Sequence, residues 1–241
     1  MERRQHLRPT SPYRARLDLI LPELRCLPKF VREPVTKAIR ELFDELEQQV
    51  EEASRDHLTG LHQRRYFTHL LSKFIGKCRQ NRSMLGVLFV DLDEFKQIND
   101  IRGHLAGDQA LRATARILEN QVRSWDGDEP LCRWGGDEFL AALELIREDE
   151  VHRALHRIVG SIHDEQNQVK FGYNPEGYPI KISAGCVVFV GPWYSPLSDD
   201  DLARMLTGYA DDLLMRVKRT GKHKLHIEPV NEQKLLDRRN F

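Results

Sequence analysis

Apolar and polar residues follow two different periods along this chain. From Pro34 to Ala53 the apolar residues recur at steps of three and four, and the positions between them are rich in glutamate. This period predicts an amphipathic helix over residues 34–53 with Pro34 in its first turn, a position that proline favours. The apolar stripe is narrow, so the helix suits a two-stranded coiled coil and docking onto its own domain equally well.

Helical and strand patterns alternate beyond residue 54. The helical period predicts helices over residues 64–79, 94–100, 108–122, 149–163 and 200–219. Short apolar runs predict strands over residues 84–93, 131–134, 138–144, 180–190 and 224–228. Gly135 and Gly136 join the second strand to the third, and glycine tolerates the positive φ of a tight hairpin turn. The predicted fold class is therefore α/β, with a mixed central sheet flanked by helices and preceded by an N-terminal helix.

The bulk composition is that of a soluble globular protein, with 241 residues and a formal net charge of zero. A balanced charge creates no field that attracts nucleic acid or an anionic membrane, so we expect neither partner. The apolar strings are too short to cross a bilayer, so we expect no membrane insertion and a cytoplasmic location. A ligand that carries phosphate must then be held by local groups.

Four acidic residues interrupt otherwise apolar strands. Asp91 and Asp93 end the strand predicted at 84–93, while Asp137 and Glu138 follow the glycines of the hairpin. Asp93 could cap the helix after it, but capping does not account for the other three. Carboxylates are seldom buried unless they are paired or bound to a cation. If the hairpin lies beside the first strand, the acids converge, and their repulsion predicts a site for Mg²⁺ or Mn²⁺.

Groups that suit a phosphate ligand lie close to these acids in the sequence. Magnesium held by few carboxylates usually shares its coordination shell with substrate phosphates. A helix beginning near Glu94 would point its first N–H groups at the site, and Lys96 could neutralise charge there. Lys218 and Lys222 lie one helical turn apart and could hold a triphosphate, or they could form a solvated basic helix end.

Asn99 and Asp108 carry side chains that can read the edge of a base. Guanine offers N–H donors to a carboxylate and acceptors to an amide, so the pair suits guanine. Each residue taken alone is more often a helix cap or a turn residue.

Five segments together resemble one known family. They are "DHLTGLHQRRYF", "VDLDEFKQINDIRGHLAGD", "RWGGDEF", "KISAGC" and "ADDLLMRVKRTGK". Their order and approximate spacing resemble the GGDEF domain of bacterial diguanylate cyclases over residues 54–228. The resemblance implies a fold related to the palm of nucleotidyl cyclases. It also implies the condensation of two GTP to cyclic di-GMP and two pyrophosphates.

The resemblance implies a role for each residue near the acids. Asp91 and Asp137 would bind two Mg²⁺ or Mn²⁺ ions per active site, assisted by the backbone carbonyl of Leu92. Asp137, with Glu138 beside it, would accept the proton of the attacking 3′-hydroxyl, and Lys96 would stabilise charge in the transition state. The implied substrate-binding residues are Glu94, Phe95, Asn99, His104, Asp108, Lys218 and Lys222. The first two would face phosphate through their backbone, and the lysines would hold the triphosphate. Asn99 and Asp108 would read guanine, with His104 near the substrate.

The sequence departs from the family pattern at two functional places. The usual "GRN" reads Gly221-Lys222-His223 here, which keeps a cation at its centre. An R-x-x-D motif, Arg123 to Asp126, precedes the first glycine of the hairpin by eight residues where many members have five. That displacement favours a chance motif in a charged loop, so we do not expect this candidate inhibitory site to bind product.

The expected division is a segment of unknown role at 1–33, a helical stalk at 34–55, a GGDEF catalytic domain at 56–228 and a C-terminal tail at 229–241. Each domain would hold one GTP, so a homodimer formed through residues 34–53 is expected to bring two sites together. Two other functions stay open: a catalytically idle receptor for GTP or cyclic di-GMP, and a purely structural module.

Overall fold

The structure is a computed structural model that describes residues 19–122, 130–193 and 197–238. It divides into two compact units between Arg55 and Asp56. The first unit contains a 3₁₀ helix, Leu21–Cys26, and the helix α1, Lys29–Ala53. No helix in these ranges is long and apolar enough to cross a membrane.

The start of α1 corrects the sequence prediction, because Pro34 lies inside the helix rather than in its first turn. The helix begins after Pro28, whose carbonyl accepts the N–H groups of Val31 at 3.0 Å and Arg32 at 2.9 Å. A proline this close to a helix start removes one backbone hydrogen bond, a cost that the following turns of the helix outweigh.

The second unit alternates helices and strands. Its elements are β1 (His62–Gln63), α2 (Arg64–Asn81), β2 (Met84–Leu92), α3 (Phe95–Arg102), α4 (His104–Val122), β3 (Leu131–Gly135), β4 (Glu138–Leu145), α5 (Glu148–His163), α6 (Glu165–Lys170), β5 (Ile182–Phe189), α7 (Asp199–Arg219), β6 (Leu225–Val230) and α8 (Glu232–Arg238). The strands form one sheet in the order β1-β3-β4-β2-β5-β6. The outer pairs β1–β3 and β5–β6 are parallel, and the inner pairs are antiparallel. The predicted α/β fold with a mixed sheet is confirmed.

The two faces of the sheet carry separate hydrophobic cores. Successive residues of a strand point to opposite faces, so Val87 and Phe89 of β2 belong to one core while Leu88 and Val90 belong to the other. Helices α2 and α7 cover the first face, and α4 and α5 cover the second. The face under α2 and α7 is the one that carries the acidic residues described below.

Helix α7 packs closely on the central strands. Ser198 caps it by accepting the N–H of Asp201 at 3.1 Å. A Cβ added to Gly185 of β5 would lie 2.4 Å from the backbone nitrogen of Leu214, so only glycine allows this approach. The last turn of α7, which carries Lys218, is thereby held at one end of the sheet.

The C-terminal segment is more ordered than a tail. Strand β6 continues to Val230, and α8 buries Leu235 in the core under α7. Lys234 of α8 lies 2.7 Å from Glu228, which joins the helix to the strand. The segment after residue 228 therefore forms part of the second unit up to residue 238.

Candidate active site

The acidic residues of β2 and of the hairpin meet at one end of the sheet. Antiparallel pairing places Asp91 directly opposite Glu138. Both follow the alternation of the face covered by α2 and α7, so their side chains lie on the same side. The N–H of Leu92 donates to the carbonyl of Asp137 at 3.2 Å. The hairpin therefore lies beside β2, as the sequence analysis supposed.

Asp91 is paired with a lysine. Lys218 Nζ lies 2.7 Å from Asp91 Oδ2, and the carboxylate is almost fully buried. Burial raises the pKa of Asp91 to about 6; the hydrogen bond and charge of Lys218 lower it, and the charges of Asp137 and Glu138 raise it further. The lysine offsets only part of the cost of burying this charge. Repulsion between the acids therefore does not by itself require a divalent cation, as the sequence suggested, because the protein supplies one cation in Lys218.

Glu138 shares the same environment. Burial raises its pKa, Lys218 lowers it, and Asp137 and Asp211 raise it again. Arg64 of α2 also lowers the pKa of Glu138, while its guanidinium stacks 4.2 Å from the ring centroid of Trp134. The sequence analysis missed Arg64 and Asp211, because their approach depends on how α2 and α7 pack. Within residues 19–122, 130–193 and 197–238, no three His, Cys, Asp or Glu side chains form a ready set of metal ligands.

The turn between β2 and α3 forms the neighbouring part of the site. Glu94 precedes α3 with φ +60°, and its side chain does not cap the helix. Lys222 Nζ lies 3.7 Å from Glu94 Oε1, and Lys96 is exposed in the first turn of α3. The first N–H groups of a helix have no carbonyl partner within it, so this turn suits an anion.

Asp93 does not cap α3 as the sequence suggested. Its carboxylate accepts a hydrogen bond from Ser183 Oγ at 2.8 Å and lies 2.9 Å from His223 Nδ1. It thus connects the end of β2 to the turn between α7 and β6.

The residues expected to read a base lie on α3 and α4, the two helices that follow Glu94 in the chain. Helix α4 begins at His104 rather than at Asp108, so Gly107 lies inside it. A Cβ on Gly107 would lie 2.0 Å from Asn99 Oδ1 and 3.2 Å from Phe95 Cζ, which makes this a tight contact between the two helices. Asp108 Oδ2 lies 3.8 Å from an Nη atom of Arg112.

The residues expected to bind substrate on α3 and α4 differ in how exposed their side chains are. Phe95 is partly buried and packs against the core. His104 is exposed, and Asn99 and Asp108 are half-buried. Arg123 and Asp126 lie outside the described residues, so the candidate inhibitory site stays a prediction.

Arg133 fixes the hairpin that carries Asp137. Its Nε and Nη2 atoms donate to the carbonyl of Gly136 at 2.9 and 2.7 Å. Its Nη1 atom donates to Asp56 at 3.2 Å, and Gly136 has φ +28°. The side chain of one strand residue thus closes the glycine turn and ties it to the start of the second unit.

Comparison with known proteins identifies the family. A family model described as "Diguanylate cyclase, GGDEF domain" matches residues 53–224. The diguanylate cyclase DosC of Escherichia coli (strain K12) is 32% identical over 189 residues, which are 78% of this chain and 38% of DosC. The response regulator PleD of Caulobacter vibrioides is 30% identical over 182 residues, 76% of this chain and 37% of PleD. This chain therefore spans well under half the length of either relative.

Solved structures show the same architecture. The diguanylate cyclase SiaD of Pseudomonas aeruginosa, solved with its activator SiaC, has a TM-score of 0.62 and 26% identity, covering 89% of this chain and 76% of SiaD's. The coiled coil and GGDEF domain of DgcB from Caulobacter crescentus, solved with c-di-GMP, has a TM-score of 0.61 and covers 81% of this chain and 96% of that one. DgcB is 22% identical, so this likeness supports the fold alone.

Proposed function

The chain belongs to the GGDEF domain family of diguanylate cyclases, and from this premise we propose that it condenses two GTP into cyclic di-GMP and two pyrophosphates. The observation that carries the proposal is the buried Asp91 carboxylate opposite Glu138, next to two lysines and a helix N-terminus. Negative groups that suit a metal and positive groups that suit phosphate lie side by side. A nucleotidyl transfer site requires this combination.

The residues present fit a divalent cation. Asp91, Asp137 and the backbone carbonyl of Leu92 offer hard oxygen donors of the kind that Mg²⁺ and Mn²⁺ prefer. Burial raises the pKa of Asp91 to about 6 even with Lys218 beside it, so a bound cation would stabilise the charged carboxylate. When bound, two such ions per site would polarise the α-phosphate and lower the pKa of the attacking 3′-hydroxyl.

The protein's own side chains would move protons and hold charge. Asp137 would accept the proton of the 3′-hydroxyl, with Glu138 maintaining the negative potential beside it. Lys96, exposed at the start of α3, would stabilise the charge that develops on the phosphate. When GTP binds, Lys218 would release Asp91 and contact the triphosphate instead. Its four-carbon side chain is flexible enough for this change. Lys222 would hold the same phosphates from the adjacent turn.

Substrate choice would be set on α3 and α4. Asn99 and Asp108 would read the acceptor and donor groups of guanine, which favours GTP over ATP. His104 would lie beside the nucleotide. The backbone at Glu94 and Phe95 would present N–H groups to its phosphates.

Two copies must face each other, because each site would hold one of the two GTP molecules. Residues 34–53 would form the homodimer. Leu42, Leu46 and Val50 support this assignment, since they form an exposed apolar stripe on α1 with 54, 38 and 37% of their surface accessible.

The proposal is tested by incubating the purified protein with GTP and Mg²⁺ and separating the products by chromatography. We expect cyclic di-GMP and pyrophosphate in a ratio of one to two. A protein that binds GTP or cyclic di-GMP but releases no product would instead be a receptor, and a protein that binds neither would be a structural module.

A further inference from the structure

Asp93 is a buried acid to which the proposed mechanism gives no role. It lies two residues after Asp91, and its side chain is 1% exposed. Three donors surround it: Ser183 Oγ at 2.8 Å, the backbone N–H of His223 at 3.1 Å and the His223 ring at Nδ1, 2.9 Å away. A buried carboxylate needs such partners, and two of the three come from the turn after α7.

That turn has an unusual backbone. Gly221, Lys222 and His223 follow one another with φ +114°, +50° and +53°. Left-handed conformations cost free energy in residues with a Cβ and persist only where the surroundings impose them. Histidine is among the residues that tolerate this region best. The bonds from Asp93 to the backbone and ring of His223 supply the constraint.

The turn carries one of the two lysines assigned to phosphate and follows the other. Lys222 lies between Gly221 and His223, and its Nζ atom is 3.7 Å from Glu94 Oε1. Lys218 lies four residues earlier, in the last turn of α7, and its Nζ atom is 2.7 Å from Asp91 Oδ2. Anchoring His223 to the end of β2 therefore sets how far the neighbouring Lys222 ammonium group lies from the Glu94 turn.

We infer that Asp93 and His223 form a positioning pair that holds the Lys222 turn over the phosphate end of the site. The inference rests on the proposed function, and it makes neither residue catalytic, since both act through Lys222. The family pattern "GRN" has asparagine where this chain has His223. Asparagine shares the tolerance for left-handed φ and has an N–H donor, so it can replace the histidine while alanine cannot.

The experiment measures binding of two probes to the full chain in Mg²⁺ by calorimetry. The first is 3′-deoxy-GTP, which has a triphosphate but no attacking hydroxyl, and the second is GMP, which lacks the two outer phosphates. We expect His223→Ala to weaken 3′-deoxy-GTP binding by about 10- to 100-fold, the effect of losing charge-assisted contacts, and to leave GMP binding within about twofold. His223→Asn should restore most of the affinity for 3′-deoxy-GTP.

His226→Ala is the matched control, because His226 is an exposed histidine three residues along on β6, and it should bind both probes as the wild type does. Asp93→Asn keeps the size of the buried side chain and should reproduce the selective loss; it decides the matter if His223→Ala does not fold. If both variants bind 3′-deoxy-GTP with wild-type affinity, or lose affinity for both probes equally, the positioning role of the pair is wrong. The proposed function would not be affected by either result. A wild-type protein that binds neither probe would overturn the proposed function as well.

Discussion

Gly107→Ala tests whether Asn99 reads the base. The added Cβ would lie 2.0 Å from Asn99 Oδ1 and 2.9 Å from Asn99 Cγ, far inside van der Waals contact. The obstructed atoms belong to the end of a side chain, so Asn99 can rotate away without moving either helix. The fold should therefore survive, while the amide leaves the position proposed to face guanine.

In this variant we expect little change in stability but a loss of GTP affinity. Alanine is favoured over glycine in a helix interior by about 0.8–1.0 kcal/mol, which offsets the cost of displacing Asn99. Loss of the amide from guanine leaves polar groups unpaired, a cost of roughly 1–3 kcal/mol, or about 5- to 150-fold in Kd. We therefore expect a melting temperature close to that of the wild type and a marked loss of GTP affinity.

The assay is calorimetric titration with 3′-deoxy-GTP together with thermal unfolding. Gly160→Ala is the matched control, since Gly160 lies inside α5 and an added Cβ would meet nothing within 4 Å. The control should gain stability and bind as the wild type does. Unchanged affinity in Gly107→Ala would refute the role of Asn99.

Three further predictions concern the fold and its regulation. Gly185→Ala would place a Cβ 2.4 Å from the backbone nitrogen of Leu214, and overpacking should cost about 1–3 kcal/mol. Thermal unfolding should then show a fall of roughly 2–4 °C per kcal/mol, and an unchanged midpoint would contradict the close packing of α7. Burial lowers the pKa of His163 from 6.5, and its Nε2 accepts the Ile182 N–H at 3.0 Å. The neutral His163 ring should therefore stabilise the folded state fully above about pH 6.5. This stabilisation should be lost as the pH falls through the pKa of His163 in the folded protein. Urea unfolding of wild type and His163→Gln should converge at acid pH, whereas a constant difference would argue against the contact. The displaced R-x-x-D motif predicts an initial rate insensitive to added cyclic di-GMP, and strong inhibition would show this expectation wrong.

The sequence was most informative where a short-range pattern decides the structure. The sequence predicted that Asp91 and the hairpin acids converge if the hairpin lies beside β2, and the observed pairing of β2 with β4 meets that condition. The match to the family model confirms the family resemblance, and the six-stranded sheet confirms the α/β fold.

Contacts set by the packing of distant elements were beyond the sequence. Lys218 contacts Asp91 where α7 packs closely on β5 at Gly185. The sequence around Lys218 does not reveal how close α7 lies to the sheet. Asp93 precedes a helix and so resembled a cap, yet the turn at His223 offers it stronger partners. The sequence predicted a helix over 108–122, directly after Gly107, because glycine usually marks a break. In the structure Gly107 lies inside α4, where an added Cβ would lie 2.0 Å from Asn99 Oδ1.

The most direct test of the central claim is the initial rate of cyclic di-GMP formation from GTP and Mg²⁺ by the wild type and by Asp137→Ala. Asp237→Ala, which removes an exposed acid of α8, is the control. The account predicts product from the wild type and the control and none from Asp137→Ala, with the same melting temperature for all three. Product formation by Asp137→Ala at the wild-type rate would contradict it.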